Sequence, residues 1–262
     1  MESKMSDAVI NFYDTLSPEY RHNMGWDWAR VMRSEGEILT AFLEQIIGRS
    51  GPHSLLDCSC GIGTQAIGIA LKGYHVHATD LSPRSIDCAR NEAKALGIVM
   101  DFSVADYRSL DTNIDEQYDV VLTCDNSIAH CLTDVALNDA LTSMKKMIKP
   151  GGVLLISLRD YDALIEDRPR FNNEHVQDKS DGRRVVFQLW DWADDFRSYR
   201  NTQFLIRATE SGYDLKSFET ELRALRREEI ISAAALAEFE DIRWHEPEQS
   251  GYYQPIVTAR ID

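Results

Sequence analysis

Leu55-Leu56-Asp57-Cys58-Ser59-Cys60-Gly61-Ile62-Gly63-Thr64 is an apolar run that opens into a glycine-rich turn, and Asp80 follows sixteen residues after Thr64. Gly61 and Gly63 carry no side chain, so a ligand can approach the backbone of the turn closely. Asp80, at the end of the next apolar run, can accept hydrogen bonds from two ribose hydroxyls. The spacing predicts a site for a nucleoside-type cofactor. Gly61-x-Gly63-x-x-Ala66 alone also fits a dinucleotide fold, so the neighbouring acids decide the chemistry. Asp57 stands directly before the turn, where a carboxylate repels a pyrophosphate and suits an ammonium group, directly or through water. Asp106, in Val104-Ala105-Asp106-Tyr107, can accept from an adenine amino group, or it can simply cap a turn.

The elements that must hold these residues alternate. Helix-forming periodicity runs from Trp26 to Ile47 and stops at Gly48 and Ser50-Gly51-Pro52. Strands are predicted at 53–57, 74–79, 99–103, 118–124 and 152–158. Helices are predicted near 64–72, 83–96 (Ser82 cap, Pro83 in the first turn) and 135–147, the last stopping at Pro150-Gly151-Gly152. This alternation argues for a parallel, doubly wound sheet. Residues 160–182 read as a charged loop. Residues 185–192, 201–208 and 213–225 read as strands with no helix between them, hence an antiparallel meander. A helix near 227–237 and strands near 239–244 and 254–261 return to the main sheet. The expected organisation is an N-terminal cap (1–52), a cofactor-binding α/β core (53–159), an inserted β lid (160–226) and a C-terminal return (227–262).

Taken together, the turn, Asp57, Asp80, Asp106, Tyr118-Asp119-Val120-Val121-Leu122-Thr123-Cys124 and Lys149-Pro150-Gly151-Gly152 resemble the class I S-adenosylmethionine-dependent methyltransferases over residues 53–158. The resemblance implies a Rossmann-like α/β fold with a seven-stranded, mostly parallel sheet and one reversed strand. It implies S-adenosylmethionine as methyl donor, no metal, and cofactor contacts from Asp57, Cys58, Gly61, Gly63, Asp80, Leu81, Asp106, Tyr107, Cys124 and His130. A sulfonium is an intrinsic leaving group, so the chain must only align the reactants and exclude water. That role suits a lid.

The acceptor site should lie at the C-terminal edge of the sheet. Asn126-Ser127-Ile128-Ala129-His130 follows the fourth strand and Arg159-Asp160-Tyr161-Asp162 the fifth. An arginine here either grips a substrate carboxylate with its planar fork or pairs with Asp160, Asp162 or a lid acid. These two segments resemble those of the glycine/sarcosine N-methyltransferases. That resemblance implies Arg159 on the amino-acid carboxylate, Asn126 positioning the substrate, and His130 near the cofactor. It also implies Arg33, or Arg30, on the cofactor's own carboxylate, with Tyr13, Tyr20, Trp26 and Tyr161 around the acceptor. Asn126 and His130 can also be plain turn or helix-start residues, and Tyr13, Tyr20 and Trp26 plain packing residues. Trp190, Trp192 and Trp244 read as filling.

Composition bounds the partners. The 262 residues carry 43 acids and 28 bases, net −15, with 44% hydrophobic residues. That balance opposes nucleic-acid and anionic-membrane binding. It fits an ordinary acidic protein or one adapted to high salt. The first eleven residues show no secretory core, so the cytoplasm is the expected location. Cys58, Cys60, Cys88, Cys124 and Cys131 make no metal-like spacing and read as reduced, semi-buried thiols. The expected partner is a small amino acid; monomer and homo-oligomer stay open. The rival readings are a methyltransferase for another small amine or hydroxyl, and a non-catalytic cofactor sensor.

Overall fold

A computed structural model describes residues 2–23, 27–48 and 53–262. Trp26 and Ser50-Gly51-Pro52 lie outside the described residues. The elements in order are α1 (Glu2–Asn23), α2 (Trp28–Ile47), β1 (Ser54–Asp57), α3 (Thr64–Ala70), β2 (His75–Asp80), α4 (Pro83–Ala95), β3 (Asp101–Val104), β4 (Tyr118–Thr123), α5 (Asp134–Lys146), β5 (Ile148–Ser157), α6 (Tyr161–Asp167), β6 (Phe171–Lys179), β7 (Gly182–Trp192), β8 (Ser198–Thr209), β9 (Gly212–Arg223), α7 (Arg227–Leu236), β10 (Glu240–His245), α8 (Pro247–Ser250) and β11 (Ile256–Arg260). The main sheet has seven strands in the order β10-β11-β5-β4-β1-β2-β3, and β11 runs antiparallel to both its neighbours. A second sheet, β6-β7-β8-β9, is wholly antiparallel.

Period-2 alternation in the buried strands divides the core between the two faces. Leu55, Val120, Leu122 and Leu155 pack with α2 and α3 residues such as Leu39, Leu43, Ala66 and Ile69. Leu56, Val121, Leu154 and Ile156 pack on the other side with Leu137, Leu141, Ile230 and Ala234 from α5 and α7. Reversal of strand order at β1 and β4 opens a crevice at their C-terminal ends, where doubly wound sheets bind ligands.

The structure departs from the sequence reading in four places. No helix is expected before Trp26, yet Glu2–Asn23 forms α1, because Val9, Phe12, Tyr13, Leu16 and Tyr20 fall at helical spacing and share one face. The segment 160–182 is not a loop: it contains α6, capped by the Asp160 carboxylate on Ala163 N, and an edge strand, β6. The second sheet therefore has four strands, not three. Finally, Pro150-Gly151-Gly152 does not precede the fifth strand but lies inside β5. Gly151 adopts φ +73° there, and the register to β4 shifts between Tyr118 and Val120.

Candidate active site

The glycine turn is fixed by hydrogen bonds from both ends. Cys60 N donates to Thr79 O (2.9 Å) and Gly63 N to Cys60 O (2.8 Å). Gly61 N donates to Asp80 Oδ2 (2.8 Å), and Ser82 N to Asp80 Oδ1 (2.9 Å). Gly61 has φ +54°, and nothing stands within 4 Å of where a Cβ would project. Two glycines bring α2 onto the turn: a Cβ on Gly36 would sit 2.2 Å from Gly68 C, and one on Gly68 2.2 Å from Met32 O. The helices thus touch backbone to backbone, and Trp28 Nε1 donates to Thr64 Oγ1 at 2.9 Å.

Above the turn lies a cavity of about 860 Å³, closed by α1, the β4 and β5 ends and the inner face of the second sheet. Helix α1 is pinned there: Ser82 Oγ donates to Asp14 (2.5 Å), Ser17 and Ser85 share a bond (2.7 Å), and Lys216 on β9 pairs with Glu19.

Of the residues singled out from sequence, Tyr13, Tyr20, Cys58, Gly61, Asp80, Leu81, Asp106, Tyr107, Cys124, Asn126, His130 and Arg159 line this cavity. Asp57 and Tyr161 are buried just behind its wall, and Gly63 caps α3. Arg33 and Arg30 are not brought in: both are exposed on α2, and Val31 and Glu35 line the cavity from that helix instead. Two residues along a helix rotate the side chain by about 200°, so a small error in helical phase exchanges an arginine for a glutamate.

At the acceptor end the chain after β4 turns sharply. Asp125 (φ 54°) and Asn126 (φ 66°) are consecutive left-handed residues, a conformation Asp and Asn tolerate best among residues with a Cβ. Ser157 holds the turn, its Oγ accepting from Asp125 N (2.8 Å) and its carbonyl from Asn126 N (3.1 Å). Asn126 Oδ1 accepts from Arg159 N (3.1 Å), while Asn126 Nδ2 donates to Tyr161 OH (2.9 Å). Arg159 donates to Tyr199 OH (2.6 Å) and lies 4.7 Å over the Trp190 ring. Neither Asp160 nor Asp162 pairs with it. Asp160 caps α6, and Asp162 faces Arg226 and accepts from Arg227 N. Among the described residues no carboxylate lies within ion-pair distance of Arg159.

Asp125 accepts from Tyr253 and Tyr20, and burial raises its pKa. Glu35 accepts from Gln65 (2.7 Å) and Tyr252 (3.2 Å), and burial, helped by Asp125, lifts it to about 7. His130 shares a 3.0 Å bond with Tyr13 OH. Burial, then the Arg159 charge, pull it down to about 4, so it is neutral near pH 7. Burial also raises Asp57 to about 7 and Asp80 to about 6. Asp106 is held by Arg108, with Nε donating at 3.0 Å and Nη2 at 2.5 Å, and it also caps Arg108 N. All five cysteines are free, and four are buried. Among the described residues no His, Cys, Asp and Glu side chains converge as a metal site, and no helix is long and apolar enough to cross a membrane.

The sequence reading missed Glu35, Asp125, Tyr199 and Tyr253. Asp125 stood beside the flagged Asn126 and Glu35 two residues from Arg33 on the same helix; Tyr199 and Tyr253 arrive from distant elements.

Residues 55–152 match the family described as "Methyltransferase domain". A glycine/sarcosine N-methyltransferase from Parasynechococcus marenigrum is 29% identical over 53% of this chain and 48% of its own length. A ubiquinone biosynthesis O-methyltransferase from Xylella fastidiosa is 26% identical over 55% of this chain and 62% of that one. The chain thus spans about half to two thirds of the length of these curated relatives. The solved structure of the CcbJ methyltransferase from Streptomyces caelestis superposes with a TM-score of 0.74 at 18% identity, covering 95% of this chain and 97% of the other. The fold is the Rossmann-like fold shared with S-adenosylmethionine-dependent methyltransferases, and residues 55–152 carry the match to a methyltransferase domain.

The residues present fit that cofactor. Asp57 is 1% exposed and its Oδ2 has no hydrogen-bond partner, an orphan that an ammonium, direct or water-bridged, would satisfy. Asp80 keeps a lone pair on each oxygen for ribose hydroxyls after accepting its two backbone bonds. Asp106 reaches the cavity, but its carboxylate is shared with Arg108.

Proposed function

We propose that this protein transfers a methyl group from S-adenosylmethionine to the nitrogen of a small amino acid, glycine and sarcosine being the first acceptors to test. The observation that carries the reading is Arg159, a guanidinium in the cavity without an ion pair among the described residues. A half-buried cation facing a closed cavity favours an anion, and a carboxylate matches its fork. Relatives named glycine/sarcosine N-methyltransferase support the acceptor class.

When bound, S-adenosylmethionine would supply a methyl group already attached to a good leaving group, a neutral sulfide. The chain's part is positioning. Asn126 bonds the Arg159 backbone, and Tyr161 and Tyr199 (3.0 Å apart) brace both side chains. A carboxylate clamped there aims the amine at the turn. The amine must shed a proton to attack, and Asp125, whose charge Arg159 feels, is the acceptor. Tyr13, Tyr20 and the second sheet, acting as a lid, exclude water.

Replacing Arg159 by Ala tests this. Glycine KM should rise by roughly 10- to 100-fold, the worth of a charged bidentate contact. Arg159→Lys should fall between, and cofactor Kd, read by calorimetry, should not change. Ordinary glycine turnover by the alanine variant overturns the assignment. Cofactor binding without turnover of any amine points to a sensor instead.

A further inference from the structure

The inner face of the lid is not uniformly apolar. Val186, Leu205 and Phe218 pack against Phe12 and Leu16 of α1 at one end. At the other, Trp192, Tyr199 and Leu222 are in register and join the main core. Between them run two polar cross-strand rows. Asn172, Gln188 and Gln203 are paired across β6, β7 and β8. Trp190, Asn201 and Thr220 are paired across β7, β8 and β9. All six line the cavity. Gln188 and Gln203 bond each other (2.9 Å), and Trp190 Nε1 donates to Gln188 (3.0 Å). Asn201 is 5% exposed and its Oδ1 has no partner. A buried amide oxygen left unpaired costs about 1–3 kcal/mol, so a position that only had to pack would favour an apolar side chain.

We infer that these rows form a second acceptor subsite, one that reads an uncharged hydroxyl or amide, and that the favoured acceptors are amino acids carrying such a side chain. The inference rests on Arg159 holding the acceptor's carboxylate. The distances require more than glycine. Arg159 bonds Tyr199, and Asn201 and Gln203 follow on the same face of β8 at about 7 and 13 Å along the strand. Glycine spans only about 4 Å. Arg159 lies over Trp190, at the near edge of this band, so a glycine clamped there stops short of Gln188 and Gln203, and only a side chain reaches across to them. Amides and hydroxyls match carboxamides in both donor and acceptor, whereas a charged side chain would meet no counter-ion on this band. A site of this kind discriminates strongly against analogues that leave its polar groups unpaired.

The test compares near-isosteric acceptors: threonine against valine, and glutamine against methionine, with glycine and sarcosine alongside. Each is assayed in the wild type, Asn201→Leu and Gln203→Leu, with thermal melting as the check on folding. The wild type should favour the polar member of each pair by about tenfold or more in kcat/KM. Each variant should bring the ratio towards one, and a ratio measured within one variant is unaffected by lost folded protein. Three outcomes overturn the inference: polar and apolar members equal in the wild type, the polar preference intact in both variants, or glycine and sarcosine exceeding every larger acceptor. The last leaves the Arg159 reading standing. Failure of every carboxylate-bearing acceptor overturns both.

Discussion

At the scale of single residues the site gathers acids, Asp57 and Asp80 buried among them, around Arg159, which has no ion pair among the described residues. Asp57 shows how this sets pH dependence. Its carboxyl is raised to about 7 by burial, so between its ordinary value near 3.8 and 7 the folded chain holds a proton that the unfolded chain has released. Stability from this group is therefore full at low pH and lost as pH rises through 7. His130 works the other way: its folded value near 4 makes its share of stability fall as pH drops below its ordinary 6.5. Because the two oppose, the useful quantity is a difference. Asp57→Asn mimics the protonated form. Its melting temperature without cofactor should exceed that of the wild type only slightly at pH 4.5, increasingly from there to pH 7, and by a steady margin above it. Its cofactor affinity should fall, since an amide cannot offer the ammonium a charge. Parallel melting curves across that range would show that Asp57 does not titrate as its burial requires.

At the scale of elements, the site depends on how closely α2 approaches α3. Gly36 and Gly68 have no side chains, and the helix backbones meet there. Gly68→Ala would put a methyl against Met32 O, and a backbone carbonyl cannot move aside cheaply. The expected cost is about 2–3 kcal/mol, seen as a drop of roughly 4–12 °C in melting temperature for a chain this long. Cofactor affinity should weaken too, because α2 carries Glu35 and α3 begins at the turn; a stable variant with full affinity would argue against backbone contact. The same elements show what was legible in the sequence. β1, the glycine turn and Asp80 are local features, and Ser82 does cap α4, accepting from Ser85 N at 3.0 Å. The helical spacing of Val9, Phe12, Tyr13, Leu16 and Tyr20 was visible, but polar residues between them and Pro18 obscured it. β6 alternates between exposed and half-exposed residues and ends the sheet, so it carries little hydrophobic signal. Arg159 could be named from its position after β5. That no carboxylate among the described residues pairs with it, and that Tyr199 reaches it from 40 residues away in the chain, could not.

At the scale of the whole molecule the net charge of −15 opposes the fold in dilute salt. A sphere of about 23 Å radius with that charge repels itself by about 6 kcal/mol at 0.1 M salt and about 2 kcal/mol at 1 M, as the Debye length falls from about 10 to 3 Å. The unfolded chain keeps part of this repulsion, so only a fraction of the difference stabilises the fold. Screening also weakens surface ion pairs such as Arg183–Asp178 and Arg90–Asp87, but exposed pairs are worth at most about 1 kcal/mol each and often nothing. The long-range term should therefore win by about 1 kcal/mol, raising the melting temperature by about 2–4 °C between 0.1 and 1 M potassium chloride. Matched osmolality in sucrose separates screening from solute exclusion, since sucrose stabilises without screening charge. A melting temperature that falls with potassium chloride would mean that the local pairs outweigh the global repulsion, and that the acidic surface is not what suits this chain to salt.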